Sequence, residues 1–591
     1  MTDPERLLAR ALAAHGVGDL AAAITDYRAL LILLPDDPTA AVNGAAAWQS
    51  LGKADVALRS LHRAVRLAPI LAVAHRLTGE AHHQLGDHAA ATLAFQRALI
   101  LQPESAESAN NFAHLLATDD DAGAITWWRR SLILAPRRPE SMANLAAALL
   151  AEGRQDEAFA ALRAAYCLAP AVAATLNSLG NHRFELRDYL AATTFFRRSR
   201  RVSPDFVAAW LNEGGLRLDL GAAEQGAALC RTAVILAPDH AGAYNNLANG
   251  AMLACDLVGA AALFSRALRL SPTDAQTHFN YSAALLKQGD WQQGWQEYEW
   301  RRHTAAALQR RRAFDPPDWP GGDPVGQTIL LSVEQGFGDA IQFCRFAPWL
   351  AAKGATVLLR THAPLVRLMR SLPGVAAVMP LEAKPPAYDW HLPLMSLPAR
   401  LGLTADFLPS AIPYLAVDDA ATAAWRQRLA ALPGAKVGLV WSGDPRPGQR
   451  TAHLLDQRRS LSLAQLAPLS ALPGLTLVSL QKGPPAAQIG LQGTPPLIDW
   501  TAQLDDFADS AALVAALDLV ISVDTAVAHL AGALGRPVWI LSRFDGCWRW
   551  LHRRDDTPWY PTARLFNQPR PGDWPAVVTA LCSALANWLK Q

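Results

Sequence analysis

The chain has little net charge, few cysteines and no long apolar run. Lys and Arg number 54 against 52 Asp and Glu, a formal net charge of +2 at pH 7. That balance excludes a dedicated nucleic-acid binder, which carries a strong basic bias or a basic stripe. The short basic runs, Arg197, Arg198, Arg200, Arg201 and then Arg310, Arg311, Arg312, read as solvated faces. Six cysteines (Cys167, Cys230, Cys255, Cys344, Cys547, Cys582) lie scattered with no C-x-x-C pair. They fit reduced, mostly buried thiols of a cytosolic protein rather than a disulfide framework or a zinc site. No stretch reaches the roughly 18 apolar residues of a membrane span, and MTDPERLLARALAAHG at the start contains no signal-peptide core. A soluble, cytoplasmic protein without a membrane span is expected. No D-x-D-like carboxylate cluster stands at a strand end, so no metal site and no bound cofactor are expected. What the chain has is length and apolar content: 591 residues, 51 % hydrophobic, enough for several domains.

Prolines recur at Pro35, Pro69, Pro103, Pro136, Pro170, Pro204, Pro238 and Pro272, at intervals of 34 residues with one of 33. Before them come sets such as Ala57, Leu61, Ala64, then Ala91, Phe95, Ala98, and later Ala260, Phe264, Ala267. Spacings of three and four place each set on one helical face. Small side chains there admit a neighbouring helix, the large one fills the gap, and proline stops the second helix of the pair. This register resembles tetratricopeptide repeats over about residues 4–303, ending in a degenerate unit, GDWQQGWQEYEW from Gly289. The resemblance implies an α-solenoid, a superhelix of stacked helix pairs with an extended binding surface.

Eight residues after each proline stand Asn43, Leu77, Asn111, Asn144, Ser178, Asn212, Asn246 and Asn280. Helix propensity does not favour asparagine there, whereas its amide offers the donors and acceptors that an extended peptide needs. The series resembles the asparagine ladder of the nucleocytoplasmic O-linked N-acetylglucosamine transferases. That resemblance implies acceptor binding at Asn111, Asn144, Asn212, Asn246 and Asn280. The alternative is that these asparagines bond within the helix pair.

Between His303 and Gly326 the residues Pro316, Pro317, Pro320, Gly321, Gly322 and Pro324 mark a connector. The domains expected are a repeat array over 1–303, a linker over 304–325, and two α/β halves over 326–425 and 426–591. TILLSVEQGFGDAIQFCRFAPWLAAKG reads as a strand over Thr328–Val333, a glycine turn and an amphipathic helix. ATVLLRT and HAPLVRLMRSLPG give the next strand and helix. After a linking segment around Pro409–Asp419, AKVGLVWSG, LTLVSLQKG and DLVISVDT begin a second set of short apolar strands. Continuous apolar strands alternating with helices imply parallel sheets covered on both faces, here two Rossmann-like halves. Ligands bind at the carboxyl ends of such strands.

Three motifs fall at those ends. EQGFGD, Glu334 to Asp339, closes the first strand; its aspartate reads as a helix cap or as a reactive carboxylate at the site. In DLVISVDTAVAHLAGALG the strand ends at Val523, and Asp524 and Thr525 precede a helix through Ala526 and His529. Free N–H groups and the helix dipole make that point suited to phosphate. Alone, His529 reads as a packed core histidine. The run CWRWLHRRDDTPWYP supplies Trp548, Trp550, Trp559 and Tyr560, which read as packing anchors before sugar-stacking faces, and Arg549, which can reach an anionic donor.

Over about 325–580 these motifs resemble the heptosyltransferase-like glycosyltransferases of the GT-B architecture. The resemblance rests on Gly338-Asp339, on VWSG from Val440 to Gly443, on QKG from Gln481 to Gly483, and on Asp524-Thr525 with His529. It implies Asp339 as general base and a nucleotide-sugar donor held by Ser442, Gly443, Gln481, Lys482, Asp524, Thr525, Ala526 and His529. Relatives fused to repeat arrays carry a G-N-P…R-S segment after VWSG; here it reads GDPRPGQRTAHLLDQRRS, so Arg459 and Ser460 are not assigned. The whole chain is similar to bacterial flagellin glycosyltransferases, whose donors include CMP-activated nonulosonic acids. That likeness implies metal-independent, inverting transfer from a nucleotide sugar to Ser or Thr of a protein, flagellin first. The alternatives are a lipopolysaccharide-type transferase and a non-catalytic scaffold with a degenerate transferase half.

Overall fold

The computed structural model describes residues 3–118, 120–308, 317–404, 408 and 412–591. Arg310, Arg311, Arg312, Pro316 and Pro409 of the readings above lie outside the described residues. The chain divides into two compact units, residues 1–209 and 210–591.

In the first unit helix pairs follow one another at the expected register, for example Pro38–Ser50 with Ala54–Leu67 and Ala72–Gln84 with His88–Leu101. Aspartates open many of these helices: the Asp19, Asp87 and Asp188 carboxylates accept the N–H of Ala22, Ala90 and Ala191. Second helices stop at Leu33, Leu67 and Leu101, two residues before Pro35, Pro69 and Pro103. Ala57, Leu61, Ala64, Ala91, Phe95 and Ala98 are buried, so the small-large-small face is the packing face. Fully burying a Leu or Phe, as at Leu61, Phe95, Leu162 and Phe196, contributes about 1.5–3 kcal/mol.

The second unit begins within the helix Val207–Asp219, runs through Ala223–Leu236 and then holds the last repeats, Ala241–Leu253 with Leu257–Leu270 and Ala275–Gln288 with Trp291–Tyr298. It continues into two all-parallel sheets. In the first, strands β1 (Thr328–Ser332), β2 (Thr356–Thr361), β3 (Val375–Pro380) and β4 (Trp390–Pro393) lie in the order β3-β2-β1-β4. In the second, β5 (Ala435–Val440), β6 (Leu475–Ser479), β7 (Ile498–Asp499), β8 (Leu519–Val523), β9 (Val538–Ser542) and β10 (Ala563–Asn567) run β10-β9-β8-β5-β6-β7. Strand order reverses between β1 and β4, and again between β5 and β8. Crevices for ligands open at such switch points, beyond the carboxyl ends of the strands.

Two local readings differ. The single helix expected after EQGFGD is broken into Phe337–Phe343 and Phe346–Ala352. Pro348 has no N–H for the Cys344 carbonyl, and its ring crowds that turn. The helix expected over HAPLVRLMRSLPG shrinks to a 3-10 turn, Ala363–Leu365, and Val366–Met369. The thiols are all free, but fewer are buried than expected: Cys230 and Cys344 are buried, Cys255, Cys547 and Cys582 half-buried, and Cys167 exposed.

Candidate active site

The chain leaves β1 at Ser332 and turns through Glu334–Gly336 into the helix Phe337–Phe343, whose third residue is Asp339. One carboxylate oxygen accepts the Gly336 N–H at 3.0 Å, capping the helix start. The other pairs with the Arg549 guanidinium. Arg549 is buried, 9 % exposed. Its Nε donates to Gln342 Oε1 at 2.8 Å and its Nη1 to Cys547 Sγ at 3.1 Å, and it lies over the Trp548 ring at 4.2 Å. Burial alone would lower the Arg549 pKa; Asp339, Cys547 and Tyr298 together outweigh burial and hold it above the ordinary value. Arg549, read from sequence as reaching toward a donor, is thus placed on Asp339. A side chain of Asp339 that remains 21 % exposed can still meet an incoming hydroxyl.

β8 ends at Val523, and Thr525 stands at the N-cap of the helix Ala526–Ala533. The Thr525 side chain caps no helical N–H; its hydroxyl bonds Ser522 Oγ at 2.9 Å. The first turn therefore keeps N–H groups for an anion, at the positive end of the dipole. Four residues on, His529 is buried, bonded through Nδ1 to the Tyr560 hydroxyl at 3.0 Å and stacked on Trp550. Burial, then the charges of Arg549 and Arg345, push its pKa well below the usual imidazole range, so it is neutral. Gly338 sits directly on this helix: a Cβ there would stand 2.8 Å from His529 Cδ2 and 3.5 Å from Ala526 Cα. The Asp339 loop and the Thr525 helix are in contact.

The VWSG and QKG segments leave β5 and β6 side by side. Gln481, buried, accepts the N–H of Trp441 and Ser442 at 3.1 and 2.9 Å and donates to the Lys482 carbonyl at 3.0 Å. It clips the two loops together. Lys482 is exposed, with Nζ on the Leu504 carbonyl. Ser460 Oγ accepts the Gly443 N–H at 3.0 Å, and Arg459 bonds Asp456 at 2.8 Å and the Asp524 carbonyl at 3.1 Å. A Cβ at Gly443 would collide with Asp456 and Arg459 at 2.1 and 2.2 Å, which is why glycine closes VWSG. Arg459 and Ser460, unassigned from sequence, thus tie Gly443 to Asp524. Arg543 was not read from the sequence at all; burial opposes its charge, but Asp545, bonded at 2.8 Å, and Asp524 help raise its pKa. Nothing in an isolated arginine after β9 signals that placement.

The aromatic run packs as expected: Trp550, Trp559 and Tyr560 are buried. The end of the repeats meets it. Trp291 stacks on Trp559 at 5.1 Å, Trp295 meets Trp548 at 5.2 Å, and Lys287 Nζ donates to the Asp545 carbonyl at 3.0 Å. These repeat residues carried no signal beyond an aromatic-rich last unit. Among the described residues no group of three or more His, Cys, Asp or Glu is arranged to hold a metal. No described helix is long and apolar enough to cross a membrane.

In the first unit Asn111 donates to Glu80 Oε1 at 2.6 Å and accepts from Asn110 at 3.1 Å. A concavity of about 370 Å³ is lined there by Glu80, His83, Phe95, Asn111, His114 and Asn144. In the second unit Asn280 donates to Asn245 at 3.0 Å, and Asn245 to Asn246 at 3.3 Å; Asn212 is half-buried on the helix Val207–Asp219. Within each unit the series thus bonds along successive first helices.

A helical repeat array continued by two parallel α/β sheets is the architecture expected of a repeat array joined to a GT-B-type half. Comparison with known proteins agrees. Residues 43–106 and 177–241 match the tetratricopeptide repeat, and residues 504–541 match glycosyltransferase family 9 (heptosyltransferase). Protein FlbA of Caulobacter vibrioides is 28 % identical over 574 residues, covering 91 % of this chain and 88 % of that protein. Among solved structures the Cut9–Hcn1 hetero-tetramer of the APC/C gives a TM-score of 0.41 at 18 % identity, over 47 % of this chain and 55 % of that one. MamA gives 0.25 at 19 %, over 32 % and 94 %. The chain thus joins tetratricopeptide repeats to an α/β half that carries a glycosyltransferase family 9 (heptosyltransferase) match.

Proposed function

We propose that the chain is a metal-independent, inverting protein O-glycosyltransferase. Its donor is a nucleotide sugar, with a CMP-activated nonulosonic acid the first to test, and its acceptor a Ser or Thr of a protein, flagellin first. The observation that carries this reading is the contact between the Asp339 loop and the Thr525 helix, which brings a carboxylate and an anion-ready helix start together at the strand ends. In the reaction Asp339 takes the proton of the acceptor hydroxyl while its oxygen bonds to the anomeric carbon. The bond from that carbon to the phosphate oxygen breaks, and the electron pair leaves with the nucleotide. The first N–H groups after Thr525, with Lys482, stabilise the departing phosphate. Arg459 holds the Asp524 carbonyl and so fixes where that helix begins. Asn111 and Asn144 in the first unit, and Asn212, Asn246 and Asn280 in the second, bind the acceptor polypeptide. Mass spectrometry of filament proteins from a bacterial strain lacking this protein tests the reading. The expected result is loss of the sugar mass from flagellin; unchanged filament masses with an altered glycolipid would favour the lipopolysaccharide-type transferase instead.

A further inference from the structure

We propose that Arg549 is a positioning residue for Asp339, and that the end of the repeat array holds the two partners in register. The inference rests on the transferase reading above. Arg549 carries its five N–H groups on three nitrogens, and each nitrogen donates within the protein: Nε to Gln342, Nη1 to Cys547 and Nη2 to Asp339. A guanidinium engaged at all three nitrogens and so buried is committed to the protein rather than to a donor phosphate. Withdrawing it from Asp339 would leave a buried cation unpaired, which is costly. Its planar fork therefore sets the rotamer of the carboxylate, with Gly336 N–H fixing the second oxygen at 3.0 Å.

The two segments that meet at this ion pair are far apart in sequence, yet both are anchored on the last repeat. Arg301 bonds Glu334 at 3.1 and 2.5 Å, and the Tyr298 hydroxyl accepts from Gln335 Nε2 at 2.8 Å, just ahead of Asp339. Trp295 and Tyr298 pack on Trp548, beside Arg549, and Lys287 holds the Asp545 carbonyl of the same loop. Arg301 is buried, and against that burial the Glu334, Glu299 and Tyr298 charges, with the Glu334 hydrogen bond, together hold its pKa up. The last repeat thus works as part of the catalytic half, beyond any role in recruiting an acceptor.

The test uses the full-length protein and hydrolysis of a panel of CMP-, UDP- and ADP-activated sugars, read as free nucleotide. For the donor that wild type turns over, Arg549→Met should lower kcat by about 30-fold or more with donor KM kept within about twofold. Arg549→Lys keeps the charge without the fork and should recover part of that loss. A rise in donor KM of about tenfold or more with kcat preserved would overturn the inference, since Arg549 would then be gripping the donor. So would wild-type kinetics in Arg549→Met while Asp339→Asn is inactive. If Arg549→Met does not fold by circular dichroism, Arg549→Lys decides alone: reduced kcat at constant KM supports the role, and unchanged kcat overturns it. A wild type that hydrolyses no donor, with every variant folded, overturns the transferase reading itself.

Discussion

Trp295 of the last repeat meets Trp548 of the β9–β10 connection edge to face, ring centres 5.2 Å apart and planes at 89°. Such pairs contribute about 0.5–1.5 kcal/mol beyond their buried area. Leu286, Trp291, Trp295 and Tyr298 share one core with Phe343, Trp550 and Trp559. A cut at the expected linker would leave that core open. A fragment starting at Gly326 should therefore aggregate, while one starting at Trp210 should be soluble and melt cooperatively. Expression and scanning calorimetry of both fragments check this; a monomeric, cooperatively folded Gly326 fragment would show that the repeat end is dispensable for folding.

The asparagine series makes a separate prediction. Asn111, Asn144, Asn212 and Asn246 changed together to alanine should weaken acceptor pull-down by about tenfold or more, as several lost polar contacts do. Donor affinity should stay within about twofold. Unaffected pull-down would assign the asparagines to bonds such as Asn111 to Glu80, within the array.

The repeat register was legible because its marks are local: prolines at a fixed interval and small residues at helical spacing. The parallel strands were legible for the same reason, as apolar runs closed by turns. The placement of Asp339, Asp524 and Thr525 just beyond strand ends was legible, because a motif coincides there with the turn into a helix. Arg549 was visible as a residue, but its bond to Asp339, 210 positions away, was not. Arg459 and Ser460 act across the chain on Asp524 and Gly443, through contacts that no periodicity encodes. The break before Phe346 needed only Pro348 to be given its weight.

Lys482 and Thr525 should differ in what they contribute to nucleotide binding. A charge-assisted hydrogen bond contributes about 1.5–3 kcal/mol, so Lys482→Ala should weaken binding by roughly 10- to 150-fold. Thr525→Ala should cost less, because its hydroxyl bonds Ser522 and the backbone N–H groups remain. Calorimetric titration of CDP, UDP and ADP into wild type and both variants ranks the base and checks the order. Equal binding by all three proteins would place the phosphate elsewhere.

Stability should fall on acidification through His529. The unfolded chain binds a proton at this imidazole below about pH 6.5, whereas the folded protein, with its pKa pushed well down by burial, does not. The unfolded state then holds more protons, so stability rises with pH across the window below 6.5 and is lost as pH falls through it. One such group gives a slope of about 1.4 kcal/mol per pH unit. His552, also lowered by burial, adds to the same trend. Melting of the Trp210 fragment between pH 7 and 5 should show the fall, and His529→Gln should flatten it. A His529→Gln profile parallel to wild type would mean that His529 does not set the slope.

Glycosyl transfer by wild type and by Asp339→Asn, measured as acceptor mass gained per unit time with donor binding followed by calorimetry, bears on the chemistry most directly. Asparagine keeps the oxygen that accepts from Gly336 but cannot take a proton from the acceptor. Transfer should fall by about 100-fold or more while donor affinity holds within about twofold. Near-normal transfer by a folded Asp339→Asn protein would contradict the account, because the base would then lie elsewhere.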